Sequence, residues 1–99
     1  MKKVAVLLSG CGFRDGSEIH EATLTLLALD EAGASVQCLA PDIPQERVVN
    51  HLTGASVPET RRVLQEAARL ARGHIQDVRD ARPEDFDALI ILFPAVGMA

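Results

Sequence analysis

Apolar positions run without a break from Val4 to Leu8 in KVAVLLSG and stop at Ser9-Gly10. A continuous aliphatic and β-branched run reads as a strand buried on both faces, as in a parallel sheet. The spacing then changes: Ile19, Leu26, Leu27 and Asp30 trace the two faces of a helix about four turns long. Ser17 or Asp15 is its expected cap, and Gly33 supplies its stop. SVQCLA, residues 35–40, returns as a second strand that ends at Pro41 and Pro44, completing a strand-helix-strand unit.

Residues 41–58 hold three prolines around Val48-Val49-Asn50, which predicts a loop carrying one short strand rather than a linker between domains. Ser56-Val57-Pro58-Glu59 has the spacing of a capping box, with Ser56 as cap and Glu59 reaching back. A second helix follows to Gly73, with Val63, Leu64, Ala67, Ala68 and Ala71 on one face and Arg62, Glu66 and Arg69 on a face read as solvated. DFDALIILF, residues 85–93, enters the last apolar strand. Strands alternating with helices give a parallel α/β sheet with right-handed crossovers. Only three principal strands are expected, so the architecture reads as interrupted.

Composition narrows the function classes. The chain has 99 residues, 47% hydrophobic and 24% charged, with a formal charge of -4. That is a globular balance, and a domain of this length buries roughly 65% of its unfolded surface. An acidic chain with only three aromatics offers neither a basic stripe nor stacking platforms, which excludes nucleic acid as the expected partner. No stretch approaches the roughly 18 apolar residues of a membrane span. The two cysteines, Cys11 and Cys38, are too far apart for a CxxC site, and no cleavage pattern follows the first apolar run. Free thiols without an export signal point to the cytoplasm.

The chemistry-bearing stretch is GCGFRDGSEIHE, residues 10–21, at the first strand-to-helix turn, where open parallel sheets place ligands. Its glycines fall as G-x-G-x-x-x-G, one residue longer than the dinucleotide fingerprint, and no phosphate-loop lysine follows. Gly12 and Gly16 are therefore read as turn geometry. Cys11 lies near a helix N-terminus, where a thiol's pKa falls; the plain alternative is a partly buried turn residue. Cys38 is a core residue. Glu18 and Glu21 lie three apart and project near one another on the first turns of the helix. His20, His51 and His74 lack metal-ligand spacing and are read as surface or capping residues, so no metal is expected.

Several segments in register carry a family likeness: VLLSGCG, DGSEIHEATLTLLALDEAGA, APDIPQ, VVNHLTG and ETRRVLQEAARLARG. Over residues 1 to about 90 the chain resembles the N-terminal part of the ElbB-type glyoxalases of the ThiJ/PfpI superfamily, the isoprenoid or lycopene biosynthesis-enhancing proteins. Their fold is similar to class I glutamine amidotransferase domains. The resemblance implies a flavodoxin-like three-layer α/β sandwich with a mainly parallel sheet. Residues 1–99 would form a single partial domain, truncated after the third main strand.

The resemblance also implies a cofactor-independent lyase, of hydro-lyase type, acting on a small dicarbonyl. A cysteine thiolate attacks glyoxal or methylglyoxal, and a glutamate shuttles protons to release the 2-hydroxy acid. Glu21 occupies that glutamate's position; Gly10, Cys11, Gly12 and Glu18 would line the substrate pocket. The family nucleophile is a later cysteine, beyond this chain, which predicts an inactive fragment. Where relatives follow Asp-Ala-Leu-Ile with Val-Pro-Gly-Gly-Phe-Gly, this chain reads ILFPAVGMA, the pattern expected of a frameshifted or incompletely read gene. The apolar last strand leaves an unpaired edge, which predicts homo-oligomers. Two rival expectations stand beside the glyoxalase: a non-catalytic small-molecule-binding or protein-assembly module, and Cys11 as an improvised nucleophile paired with Glu21, which requires a depressed thiol pKa.

Overall fold

The computed structural model describes residues 1–94. Its elements, in chain order, are β1 (Lys3–Leu7), α1 (Ile19–Glu31), β2 (Ser35–Ala40), β3 (Val48–Val49), β4 (Ser56–Val57), α2 (Val63–Ala71), β5 (Ile75–Asp77) and β6 (Ala88–Ile91). Four strands form one parallel sheet in the order β5-β2-β1-β6, with Val6 beside both Cys38 and Ile90. β5 was not among the three expected strands: Ile75-Gln76-Asp77 is too short to show a period. Residues 95–99, where the sequence departs from the family pattern, lie outside the described residues.

The unbroken β1 run is explained by its place in the sheet. Val4, Val6 and Leu8 point to one face and meet Cys38 and Ala40 of β2, Ala22 of α1 and Val63 and Ala67 of α2. Both helices therefore pack on that face, as right-handed crossovers from β1 to β2 to β5 require. Ala5, Leu7 and Leu39 point to the other face, over which only the short turns at 78–80 and 83–85 lie. Among the described residues the sandwich thus has its sheet and one helical layer. Cys38 is a core residue, 5% exposed.

Three local expectations are corrected. α1 is capped by Glu18, whose side chain accepts from the amides of His20 and Glu21, both at 3.1 Å, and not by Ser17 or Asp15. Ser56-Val57 pairs antiparallel with Val48-Val49 instead of forming a capping box, and Glu59 turns to Arg61. α2 starts later, after Arg62, which is held by Asp42. Glu66 is not solvated: it is 8% exposed, with Oε1 taken by Arg61 at 3.3 Å and Arg69 at 3.0 Å. A carboxylate on the polar face of a helix reads as solvated in sequence, and the loop bearing Arg61 covers this one.

Ser17 is fully buried, and its hydroxyl joins distant parts of the chain. The Ser17 Oγ–H donates to the Leu92 carbonyl at 2.7 Å, and Oγ accepts from the Ser9 amide at 2.8 Å. The backbone of Ser17 donates to the Ser9 carbonyl and accepts from Gly12. The loop after β1 is thereby fastened to itself and to the end of β6. Replacing Ser17 with alanine removes the partners of the part-buried Ser9 N–H and the buried Leu92 C=O, an expected loss of about 1–3 kcal/mol. The Ser17→Ala variant should show this as a lower urea midpoint at unchanged slope, and an unshifted midpoint would refute the role.

Candidate functional site

The strand order places the site. From β1 the chain moves to β2 and β5 on one side, then returns to place β6 on the other side of β1. The order reverses between β1 and β6, and ligands of open parallel sheets bind at the carboxyl ends of the strands flanking such a reversal. A cleft of about 860 Å³ opens there, walled by Gly12 and Phe13 after β1, by Glu18, Ile19, His20 and Glu21 at the start of α1, by Ile91, Phe93 and Pro94 at the end of β6, and by His51. A second hollow, of about 390 Å³, lies on the helix-free face of the sheet, against Ala5, Leu7, Leu39, Phe86 and Leu89. Its walls are mostly apolar, with Arg82 and Asp87 among them, and Glu18, His20, Glu21 and His51 are in the first.

The loop from Ser9 to Glu18 is shaped by glycines that make room for the protein itself. Gly10 has φ +75°, a left-handed conformation that favours glycine. A side chain on Gly16 would fall 2.9 Å from the carbonyl carbon of Cys11, and one on Gly12 would collide with the Asp15 carboxylate. The loop is thus folded around Asp15, whose side chain is only 6% exposed. Its Oδ2 accepts from the Val49 amide at 2.9 Å, and its Oδ1 lies 3.0 Å from Nε2 of His51.

Of the residues singled out in the sequence, Glu21, Glu18 and Gly12 come together at the cleft. Gly10 is buried behind the loop, and Cys11 is half-buried and outside the cleft wall. Glu21 is exposed in the first turn of α1. Glu18 serves as the helix cap, and the His20 amide, followed by that of Glu21, holds its carboxyl below the usual carboxylate range. His20 also meets Glu18 Oε2 through Nδ1 at 3.1 Å. His51 was read as a surface residue; the structure sets it in the cleft wall against a buried carboxylate. A lone histidine in a polar turn carries no sequence signal of that kind, because Asp15 lies thirty-six positions earlier.

The expected lowering of the Cys11 pKa is corrected. Burial pushes the thiol up; Glu66 and Asp15 add to the rise, and Arg69 opposes it. The helix amides that would have stabilised a thiolate are taken by Glu18. This removes the requirement on which an improvised Cys11 nucleophile rested. Among the described residues no group of three metal-binding side chains is gathered, and no helix is long and apolar enough to cross a membrane.

No family model matches the chain. It is 49% identical over 89 residues to the glutamine amidotransferase-like class 1 domain-containing protein 3, mitochondrial, of Homo sapiens, covering 89% of this chain and 33% of that protein. It is 47% identical over 89 residues to the ES1 protein homolog, mitochondrial, of Rattus norvegicus, covering 89% of this chain and 34% of that one. The chain therefore spans about a third of the length of these relatives. Among solved structures, an isoprenoid biosynthesis protein with an amidotransferase-like domain from Ehrlichia chaffeensis superposes with a TM-score of 0.92 at 45% identity, over 95% of this chain and 44% of that one. The α/β architecture is thus that of an amidotransferase-like domain, present in part. The names of the relatives overturn the cytoplasmic expectation, since both are described as mitochondrial. The inference from free thiols and a missing export signal could not tell the two compartments apart.

Alkylation tests the thiol electrostatics. The rate of iodoacetamide labelling of Cys11 should reach its midpoint above the roughly 8.5 of an ordinary thiol, and higher still in Arg69→Gln. A midpoint below that value would contradict the arrangement around Cys11.

Proposed function

We propose, from the premise that this chain is homologous to part of the glutamine amidotransferase-like, isoprenoid-biosynthesis (ElbB-type) proteins, that it forms the glutamate-bearing side of a cofactor-independent glyoxalase pocket. The observation that carries this reading is Glu21: an exposed carboxylate on the first turn of α1, in a cleft at the carboxyl ends of β1 and β6. A carboxylate so placed can take and return a proton.

In this reading a cysteine thiolate, supplied by the part of the family fold not represented in this chain, adds to the aldehyde carbon of methylglyoxal. Glu21 removes the hydrogen of that carbon as a proton and returns it to the neighbouring carbon. The aldehyde carbon is oxidised to a thioester and the ketone carbon reduced to an alcohol, so no outside oxidant is needed. Water then cleaves the thioester and releases lactate; glyoxal gives glycolate in the same way. The role of Glu18 is to hold the helix end on which Glu21 stands, since its oxygens are engaged with the amides of His20 and Glu21. Cys11 has no part in the chemistry, and the chain by itself is an inactive fragment.

The test is a chimera in which residues 1–94 replace the matching part of the Ehrlichia chaffeensis relative. It should convert methylglyoxal to lactate, with a kcat about 100-fold or more lower in Glu21→Gln. The 99-residue chain alone should give none. Full turnover by the glutamine variant would remove Glu21 from the reaction, and an inactive chimera together with an inactive relative would remove the glyoxalase reading.

A second reading, self-assembly, has its own observation. Leu89 and Ile91 of the edge strand β6, and Phe93 two residues beyond it, are 57%, 43% and 68% exposed. Such an apolar edge invites pairing with another copy. We infer that the 99-residue chain forms homo-oligomers. Size-exclusion chromatography at micromolar concentration should give a dimer or larger species that Leu89→Lys reduces to monomer, and a monomer before substitution would reject this reading.

A further inference from the structure

The cleft contains a second group able to move a proton. His51 sits in the turn from Asn50 to Gly54 that joins β3 to β4. The Asn50 carbonyl accepts from the amides of Thr53 and Gly54, and its Oδ1 accepts from the Leu52 amide at 2.9 Å. The ring of His51 is half exposed and stands in the wall of the cleft that holds Glu21. Its Nε2 faces Oδ1 of Asp15 at 3.0 Å.

Asp15 is built to hold that ring. The missing side chain of Gly12 leaves space for Oδ1, and the Val49 amide fixes Oδ2. Buried Oδ1 has no aligned hydrogen-bond donor, and Nε2 of His51, 3.0 Å away, is a polar group within reach of it. An ionised carboxylate can only accept, so its contact with Nε2 favours the ring tautomer that carries its proton there and leaves Nδ1 as the basic atom. The remaining charged groups about the ring are Arg14, from the loop after β1, and Glu18, His20 and Glu21, from the start of α1.

Resting on the glyoxalase reading of this cleft, we propose that His51, oriented by Asp15, is the base that activates water to cleave the thioester. Glu21 completes its transfer between two carbons before this step; the hydrolysis is a separate proton transfer, from water rather than from carbon, and His51 is a second acceptor in the same cleft. The oxygen of water bonds to the thioester carbon as Nδ1 takes one of its protons. The carbon-sulfur bond breaks, and the proton on Nδ1 passes to the departing sulfur. The other water proton leaves when the new carboxylic acid ionises. His51 is thus a catalytic residue and Asp15 a positioning residue.

Two measurements test the assignment. In the 99-residue chain, long-range nitrogen-proton NMR spectra should show His51 protonated on Nε2, with a slowly exchanging ring proton that is lost in Asp15→Asn; a ring protonated on Nδ1 would overturn the proposal. In the chimera, His51→Gln should lower kcat about 100-fold and accumulate a cysteine adduct of methylglyoxal that hydroxylamine releases as the hydroxamate. Glu21→Gln stalls before the thioester and should accumulate no such adduct. An unchanged kcat in His51→Gln, or a loss without the adduct, would overturn the role of His51 while leaving that of Glu21 standing. Failure of the chimera to make lactate would instead count against the underlying glyoxalase reading.

Discussion

The hydroxyl of Ser17 is the joint on which this structure turns. Strand order alone brings the ends of β1 and β6 side by side, but it does not decide what lies between them. Ser17 decides it, because one fully buried oxygen is shared between the Ser9 amide and the Leu92 carbonyl, residues on either side of the strand-order reversal. Both backbone groups are withdrawn from bulk solvent to some degree and need a partner, which Ser17 supplies. The loop must then turn back tightly at Gly16, where no side chain fits, and α1 must begin directly afterwards. The first turn of that helix, with Glu18 and Glu21, is aimed into the cleft as a result.

Much of this was legible from the sequence where the signal was local. The strand before Ser9, the helix ended by Gly33 and the strand at 35–40 follow from period and punctuation, and the structure has them within a residue or so. What was hidden depends on partners far along the chain. Ser17 has the composition of a cap but makes its decisive contact 75 residues away. Ser56 has the spacing of a capping box, yet its neighbours across a two-residue ladder claim the segment. Glu66 looks solvated on a helical wheel until Arg61 closes over it. β5 escapes because three residues carry no period. The glycines at 12 and 16 read as turn geometry from the sequence; the added detail is that the space at Gly12 belongs to Asp15.

The cleft's electrostatics follow from how its carboxylates are employed. Asp15 is desolvated and relies on a backbone amide and an imidazole. Glu18 spends its oxygens on the helix end, where the amides favour its charged form. Glu21 has no such commitment and stays exposed. Three acids within seven positions thus have three different environments, set by the loop rather than by their spacing. A cysteine in the same loop goes the other way, since the donors that would have stabilised its thiolate are occupied.

The parallel pairing of β1 with β6 also has a kinetic side. β1 is the second strand from one edge of the described sheet, yet one of its two neighbours comes from far along the chain; the Lys3 amide meets Asp87 across 84 residues. β2 and β5 can dock as they emerge, but β1 keeps a bare edge until β6 has been made. Closing so long a loop is slow because its entropy must be lost before any contact returns free energy. The Ser17 hydroxyl cannot find Leu92 until that closure is complete. Cleft and sheet therefore mature in the same late event, and a nascent chain stopped before residue 88 holds three strands of the sheet and two helices without the β6 wall of the cleft.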